Sequence, residues 1–258
     1  MAITIKTAKD IEILREGGKH LAAVLSVLKK KVAPGVTGAE LEELTLELIA
    51  KGGDTPAFLD YKPRGAKRGF PAALCLSINN EVVHGVPHES NKVLKEGDVV
   101  SLDTGLVHRG LYTDSAITVG VGNISKEAKK LMRVTEEALY VGIKAIRPGK
   151  TVGDVGAAIE GFVRAEGKFS IIRELAGHGV GYAVHEDPYV PNFGTEGEGP
   201  ELTPGMVIAI EPMLTLGGSE IKLGSDGFTY ETKDGSLAAH FEHTIRITKK
   251  GGEILTKL

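Results

Sequence analysis

The spacing of apolar residues changes period several times along the chain. From Thr7 to Val32 they fall at Ile11, Leu14, Leu21, Val24, Leu25 and Leu28, which predicts a helix with one buried face, stopping before Ala33-Pro34-Gly35. A second run, Leu41, Leu44, Leu48 and Ile49, predicts another helix ending at Gly52-Gly53. Thr55 to Pro71 is loop-rich, and "ALCLSINNEVVHGVP" reads as strand, turn and strand. "LKEGDVVSLD" is expected to be a buried strand ending on Asp103, followed by a hairpin in "TGLVHRGLYTDSAITVGVG". Two more amphipathic helices follow, "SKEAKKLMRVTEEALYVGIKAI" and "TVGDVGAAIEGFVRAEG", and the remainder reads as strands and turns.

This order is a repeat. "LKEGDVVSLD", Leu94 to Asp103, returns as "LTPGMVIAIE", Leu202 to Glu211, 108 positions later. "APGVTGAELEELTLELIAKGG" aligns with "RPGKTVGDVGAAIEGFVRAEG" at an offset of 114, and "DSAITV" with "EHTIRI" at 128. Each half reads helix, helix, acid-ended strand, second acid-bearing strand. The expected fold is therefore α+β: one domain over residues 1–258 with halves of about 1–122 and 123–258, each a layer of helices on a mainly antiparallel sheet.

Composition narrows the function classes. With 41% apolar and 25% charged residues the chain is an ordinary globular protein, and a net charge of −3 gives no basic field for nucleic acid or an anionic membrane. The single cysteine, Cys75, excludes an internal disulfide and any Cys-based zinc module, and fits a reducing cytoplasm. No apolar run near the N-terminus suggests a signal peptide or a membrane span.

The repeat sets four carboxylates in matched positions, Asp103 with Glu211 and Asp114 with Glu242. Across a two-residue turn the odd spacing of Asp103 and Asp114 puts both on one face; with His108-Arg109 as the loop they stand directly opposite, about 5 Å apart at Cβ. A lone acid at a strand end is ordinarily a solvated turn residue; recurrence at matched positions in both halves argues otherwise. Four acids converging where the halves meet would lose several kcal/mol of hydration each, or take up protons. Two divalent cations cancel the charge, and a bridged pair about 3.5–4 Å apart suits hydrolysis. Among the histidines, His178 lies between two glycines in "AGHGVGYAVHEDP", His185 follows seven residues later, and His84 ends an apolar strand. His20, His88 and His108 read as helix-surface or turn residues, and His240 and His243, flanking Glu242, are expected on the opposite face.

"HGVP", "LDTGLVHRGLYTDSA", "GHGVGYAVHEDP", "AIEPM" and "FEHTI", in this order and spacing, closely resemble the short, bacterial type I methionine aminopeptidases. The resemblance spans nearly the whole chain and implies the pita-bread fold, two pseudo-symmetric halves around a dinuclear metal centre. It implies Asp103, Asp114, His178, Glu211 and Glu242 as metal ligands, with Asp114 and Glu242 bridging. It further implies His84 near the scissile amide, His185 steadying the carbonyl oxygen, and Glu211 as proton shuttle for attack by a metal-bridging hydroxide. Phe70, Cys75 and Phe228 match the methionine pocket, although bacterial members often carry Trp where Phe228 stands and this chain has none. The substrates implied are N-terminal Met-peptides of nascent proteins with a small second residue, handled by a cytoplasmic monomer with at most a transient ribosome contact. One histidine among oxygen ligands is a fairly hard site, suiting Mn²⁺, Fe²⁺ or Co²⁺ at least as well as Zn²⁺.

Three rivals are carried forward. X-Pro aminopeptidases and prolidases share fold and ligands but usually have a further N-terminal domain, and here only about 80 residues precede His84. A non-catalytic pita-bread binding protein would lose the ligands. A mononuclear iron oxygenase would need a two-histidine site that four acids fit poorly.

Overall fold

The computed structural model describes residues 3–62 and 68–258, so residues 63–67 of the loop-rich stretch lie outside it. Four helices form the outer layer: α1 (Ala8–Lys31), α2 (Gly38–Lys51), α3 (Lys126–Ala145) and α4 (Val152–Glu166). The strands of the first half are β1 (Thr55–Pro56), β2 (Leu74–Ile78), β3 (Glu81–Val83), β4 (Val99–His108) and β5 (Leu111–Gly120). Those of the second are β6 (Ser170–Ile171), β7 (Gly177–Gly179), β8 (Glu186–Val190), β9 (Val207–Ile210), β10 (Met213–Thr215), β11 (Ile221–Leu223), β12 (Tyr230–Thr232), β13 (Ala238–His240), β14 (Glu242–Thr248) and β15 (Gly251–Ile254).

The helix ends follow from local chemistry. Thr7 with Asp10, Thr37 with Glu40 and Thr151 with Asp154 form reciprocal capping boxes that occupy otherwise unpaired N–H groups. The exposed Lys29-Lys30-Lys31 closes α1, where cations complement the helix dipole. Gly18 lets α1 lie close on the sheet, since a Cβ there would meet Leu255 O at 2.4 Å.

The main sheet runs β1-β4-β5-β14-β9-β7-β8, with β2 also on β4 and β15 on β14, and every pairing is antiparallel. Its centre is symmetric: β4–β5 of the first half faces β9–β14 of the second, joined where β5 pairs with β14 (Glu242 opposite Ala116, His243 opposite Ser115). Matched residues make matched bonds. Leu94 N–H donates to Val36 O at 2.9 Å, and Leu202 N–H donates to Lys150 O at 2.8 Å. Each half has its own apolar core, one around Leu21, Leu28, Leu41, Leu76 and Leu102, the other around Leu131, Ile159, Ile208, Ile210 and Ile245. Each such side chain stabilises the fold by about 1.5–3 kcal/mol through removal from water. Ile117 of β5 packs against both.

Two expectations need correction. The first acid does not end its strand: β4 continues through Asp103 to His108, and only Glu211 stands just past a strand. The hairpin turn is Arg109-Gly110, not His108-Arg109, because a two-residue turn of this hand needs positive φ at both positions, found at 48° and 84°. Asp103 therefore pairs with Ala116 and Asp114 with Gly105. The two acids still share a face, but as diagonal neighbours.

Candidate metal centre and active site

All the residues singled out for the site line one cavity of about 440 Å³: His84, Asp103, Asp114, His178, His185, Glu211 and Glu242, together with Phe70, Cys75 and Phe228. The central strands deliver the acids. Asp103 comes from β4 and Asp114 from β5; Glu242 opens β14, and Glu211 follows β9. His178 sits mid-β7, and ligand atoms of Asp114, His178 and Glu242 lie within 4.8 Å of one another. His178 Nδ1 is 2.9 Å from Gly179 O, so it donates there and leaves Nε2 as a lone pair facing Glu211 Oε1 at 3.4 Å.

The electrostatics call for cations. Asp103, Asp114 and Glu242 are buried, and each has an oxygen with no hydrogen-bond partner (Asp103 Oδ1, Asp114 Oδ1, Glu242 Oε1). Burial, followed by the charges of Asp114 and Glu211, pushes Asp103 well above the usual carboxylate range. Burial and then Asp114, Glu211 and Asp103 do the same to Glu242. Asp114 rises to about 8 through burial and then Glu211, and Glu211 to about 8 through burial. Burial holds His178 down at about 3, so it is a neutral imidazole able to bind a metal. Orphaned carboxylate oxygens, mutual repulsion and a neutral histidine with its lone pair inward make a donor set that fits divalent cations.

Around this floor stand the other candidates. His84 holds a left-handed backbone (φ 58°), a costly conformation that persists where the surroundings fix it, and burial lowers it to about 4. His185, also lowered to about 4 by burial, has Nδ1 2.7 Å from the Tyr61 hydroxyl. Phe70 and Phe228 meet edge to face, centroids 5.4 Å apart, and Phe70 and Cys75 belong to one apolar cluster with Phe58. Cys75 lies opposite Asp103 across the β2–β4 ladder, and burial followed by Asp103 and Asp114 pushes its thiol well up, so it acts as an apolar wall.

Several residues escaped sequence reasoning. Tyr61 and Phe58 line the cavity from a segment without a distinctive motif, and Met213 lines it from the end of "AIEPM", where Glu211 alone draws attention. Asp226 fixes Phe228 by accepting its N–H at 2.8 Å, an Asx-turn whose "DGF" signal was readable. Glu186 accepts the N–H groups of Tyr182 (2.5 Å) and Ala183 (3.1 Å), shaping the turn that ends in His185, and pairs with buried Lys6 at 2.7 Å. His240, expected to face away, has Nε2 3.4 Å from Glu211 Oε2. His240 stands two residues before Glu242, with Phe241 between them, and alternation puts residues two apart on the same face, so its place at the site follows from the spacing.

The sequence profile of metallopeptidase family M24 matches residues 12–249. The chain belongs to metallopeptidase family M24. Membership makes it a metal-dependent hydrolase, and the oxygenase reading falls away. Within the family it is similar to a methionine aminopeptidase of Aquifex aeolicus, 50% identical over 260 residues and covering all of both chains. The crystal structure of a methionine aminopeptidase from Thermotoga maritima superposes with a TM-score of 0.95, at 46% identity and full coverage of both. Prolidase from Pyrococcus furiosus, at 22% identity, covers 98% of this M24 chain and 65% of its own, with a TM-score of 0.76; the two share the pita-bread fold.

Proposed function

We propose that this peptidase removes the N-terminal methionine from newly made proteins whose second residue is small, with residues 1–258 acting as one catalytic domain. The observation that carries the reading is a single cavity with carboxylates and His178 on its floor and Phe58, Phe70, Cys75 and Phe228 on its wall. An unbranched, apolar methionine side chain suits that wall, and the likeness to methionine aminopeptidases supports the same substrate. We assign the work to a monomer in the cytoplasm, in at most transient contact with the ribosome; among the described residues no helix is long and apolar enough to cross a membrane.

Asp103, Asp114, His178, Glu211 and Glu242 would hold two divalent ions (Mn²⁺, Fe²⁺, Co²⁺ or Zn²⁺). When bound, such ions supply the Lewis acidity for amide hydrolysis and keep the carboxylates ionised. Glu211, at the cavity floor between His178 and His240, carries the proton from the attacking water to the leaving amine. His185 has its Nδ1 satisfied by the Tyr61 O–H, which leaves an Nε2–H to donate to the carbonyl oxygen as charge develops there. His84 orients the scissile amide from the cavity wall.

The X-Pro peptidases offer the second reading, favoured by the shared fold alone. Mass spectrometry of Met-Ala-Ser, Met-Leu-Ser and Ala-Pro-Ser incubated with chelated and Mn²⁺-reloaded protein separates the two. Metal-dependent loss of Met from Met-Ala-Ser alone is the expected outcome. Cleavage of Ala-Pro-Ser alone moves the chain to the X-Pro branch, and equal cleavage of Met-Leu-Ser refutes the demand for a small second residue.

A further inference from the structure

His20 and His108 look unremarkable in the sequence, yet the fold brings both onto one buried carboxylate. Asp54 has its side chain fully buried in the turn after α2, His108 is the last residue of β4 and buried, and His20 lies on α1, 35% exposed. His20 Nδ1 is 2.8 Å from Asp54 Oδ2, and His108 Nδ1 is 2.6 Å from Asp54 Oδ1. One ligand atom from each of the three lies within 4.8 Å of the others. We propose that His20, Asp54 and His108 bind a further divalent cation, of the zinc, nickel or cobalt class, separate from the dinuclear centre.

Four observations carry this beyond a chance contact. Two imidazoles and one carboxylate are a donor set of borderline softness, and three protein ligands leave a fourth position for water, which the exposed side of His20 admits. A carboxylate lies near a ligand: Glu16 Oε2, which also pairs with Arg109 at 3.0 Å, is 3.3 Å from His108 Nε2 without hydrogen-bond alignment, within reach of orienting that imidazole once the ring shifts onto an ion. That Nε2 is buried and makes no hydrogen bond, so the far side of the ring is unsatisfied as it stands. Finally, glycines let the surrounding backbone approach the cluster closely. A Cβ on Gly17 would lie 2.8 Å from His108 Cβ, and one on Gly52 would lie 2.9 Å from Asp54 Oδ2 and 3.5 Å from His20 Nδ1. Gly52 has φ of −72°, open to any residue, so glycine serves here for room and not for backbone freedom.

Tetrahedral zinc ligands at about 2.0–2.1 Å from the ion stand about 3.3 Å apart, and the three ligand atoms here lie within 4.8 Å of one another. The ion would tie α1 to the end of β4 and to the turn that leads through β1 to Phe58. The alternative is a hydrogen-bonded tie, with both imidazoles donating Nδ1–H to Asp54.

Equilibrium dialysis of the full chain against buffered free Zn²⁺, with metal counted by atomic spectroscopy, decides between them. Wild type, His20→Ala, His20→Gln and Glu242→Gln are compared, and far-UV circular dichroism checks that each is folded. The expected result is that both His20 variants hold one ion fewer per chain than wild type, and that combining His20→Ala with Glu242→Gln removes one ion more than Glu242→Gln alone. Equal metal content in wild type and both His20 variants overturns the proposal and leaves the hydrogen-bonded tie. The count is a difference between variants, so it stands or falls apart from the number of ions at the catalytic cavity and from any peptidase activity.

Discussion

Replacing Lys6 by methionine should destabilise the protein strongly, and by an amount that depends on pH. The Lys6 and Glu186 side chains are 1% and 3% exposed, and their charges are 2.7 Å apart. Thr4 also contacts both, donating to Glu186 at 2.5 Å. Burial alone would raise Glu186, but the donors Lys6 and Thr4 outweigh it and hold its carboxyl below its ordinary value. Without Lys6, Glu186 either stays ionised and uncompensated, at about 3–5 kcal/mol, or binds a proton. Protonation at pH 7 of a group with an ordinary pKa of 4.5 costs about 3.4 kcal/mol, at about 1.36 kcal/mol per pH unit. The proton route sets the ceiling, so the expected loss at pH 7 is about 3 kcal/mol. The deficit should shrink by about 1.4 kcal/mol for each unit the pH falls toward 5, because the lone carboxyl then protonates more easily. Urea unfolding at pH 7 and pH 5, with Lys6→Met/Glu186→Gln as the compensated pair, measures each part. A Lys6→Met midpoint within about 0.5 kcal/mol of wild type, or a double variant no better than the single one, would refute the reasoning.

Glu211→Gln should lower kcat by at least about 10²-fold at saturating Mn²⁺ or Co²⁺; near-normal turnover removes Glu211 from proton transfer. Chelation should abolish peptide cleavage and added Mn²⁺ should restore it, whereas turnover that survives exhaustive dialysis against chelator would contradict a metal-dependent site. Asp154 is held well below the usual carboxylate range by Lys150 (2.6 Å) and the Thr151 N–H (2.8 Å). Its folded pKa is depressed, so its stabilisation is present above the unfolded value of 3.8 and lost as pH falls through the folded one. Asp154→Asn should therefore cost about 1 kcal/mol at pH 7 and progressively less below about pH 4; a pH-independent gap in urea midpoints would argue against the charged cap.

What could be read from the sequence was local or repeated. Capping threonines, glycines after helices and alternating strands carry their signals within a few residues, and the repeat converted four ordinary acids into a matched set. Turn placement was misread by one residue because His108-Arg109 and Arg109-Gly110 both fit a two-residue loop, and backbone φ preference decides between them. His240 was misplaced because it lies two residues from Glu242 and is not its neighbour, and side chains two apart on a strand share a face. Lys6 with Glu186, and His20 with Asp54 and His108, are joined only by the tertiary fold, across separations that no motif spans. Nothing in "ITIKT" distinguishes a buried cation from a solvated one.

A repeated structure usually provides redundancy, since one copy can drift while the other keeps the function. The palindromic seam of β4–β5 against β14–β9 removes that freedom. Asp103 and Glu211 occupy equivalent positions, yet both line one shared cavity, each from its own half. Each half carries two of the four carboxylates and no complete site. A damaging change in either copy is therefore exposed to selection at once, and the two halves can neither part nor diverge independently at these positions.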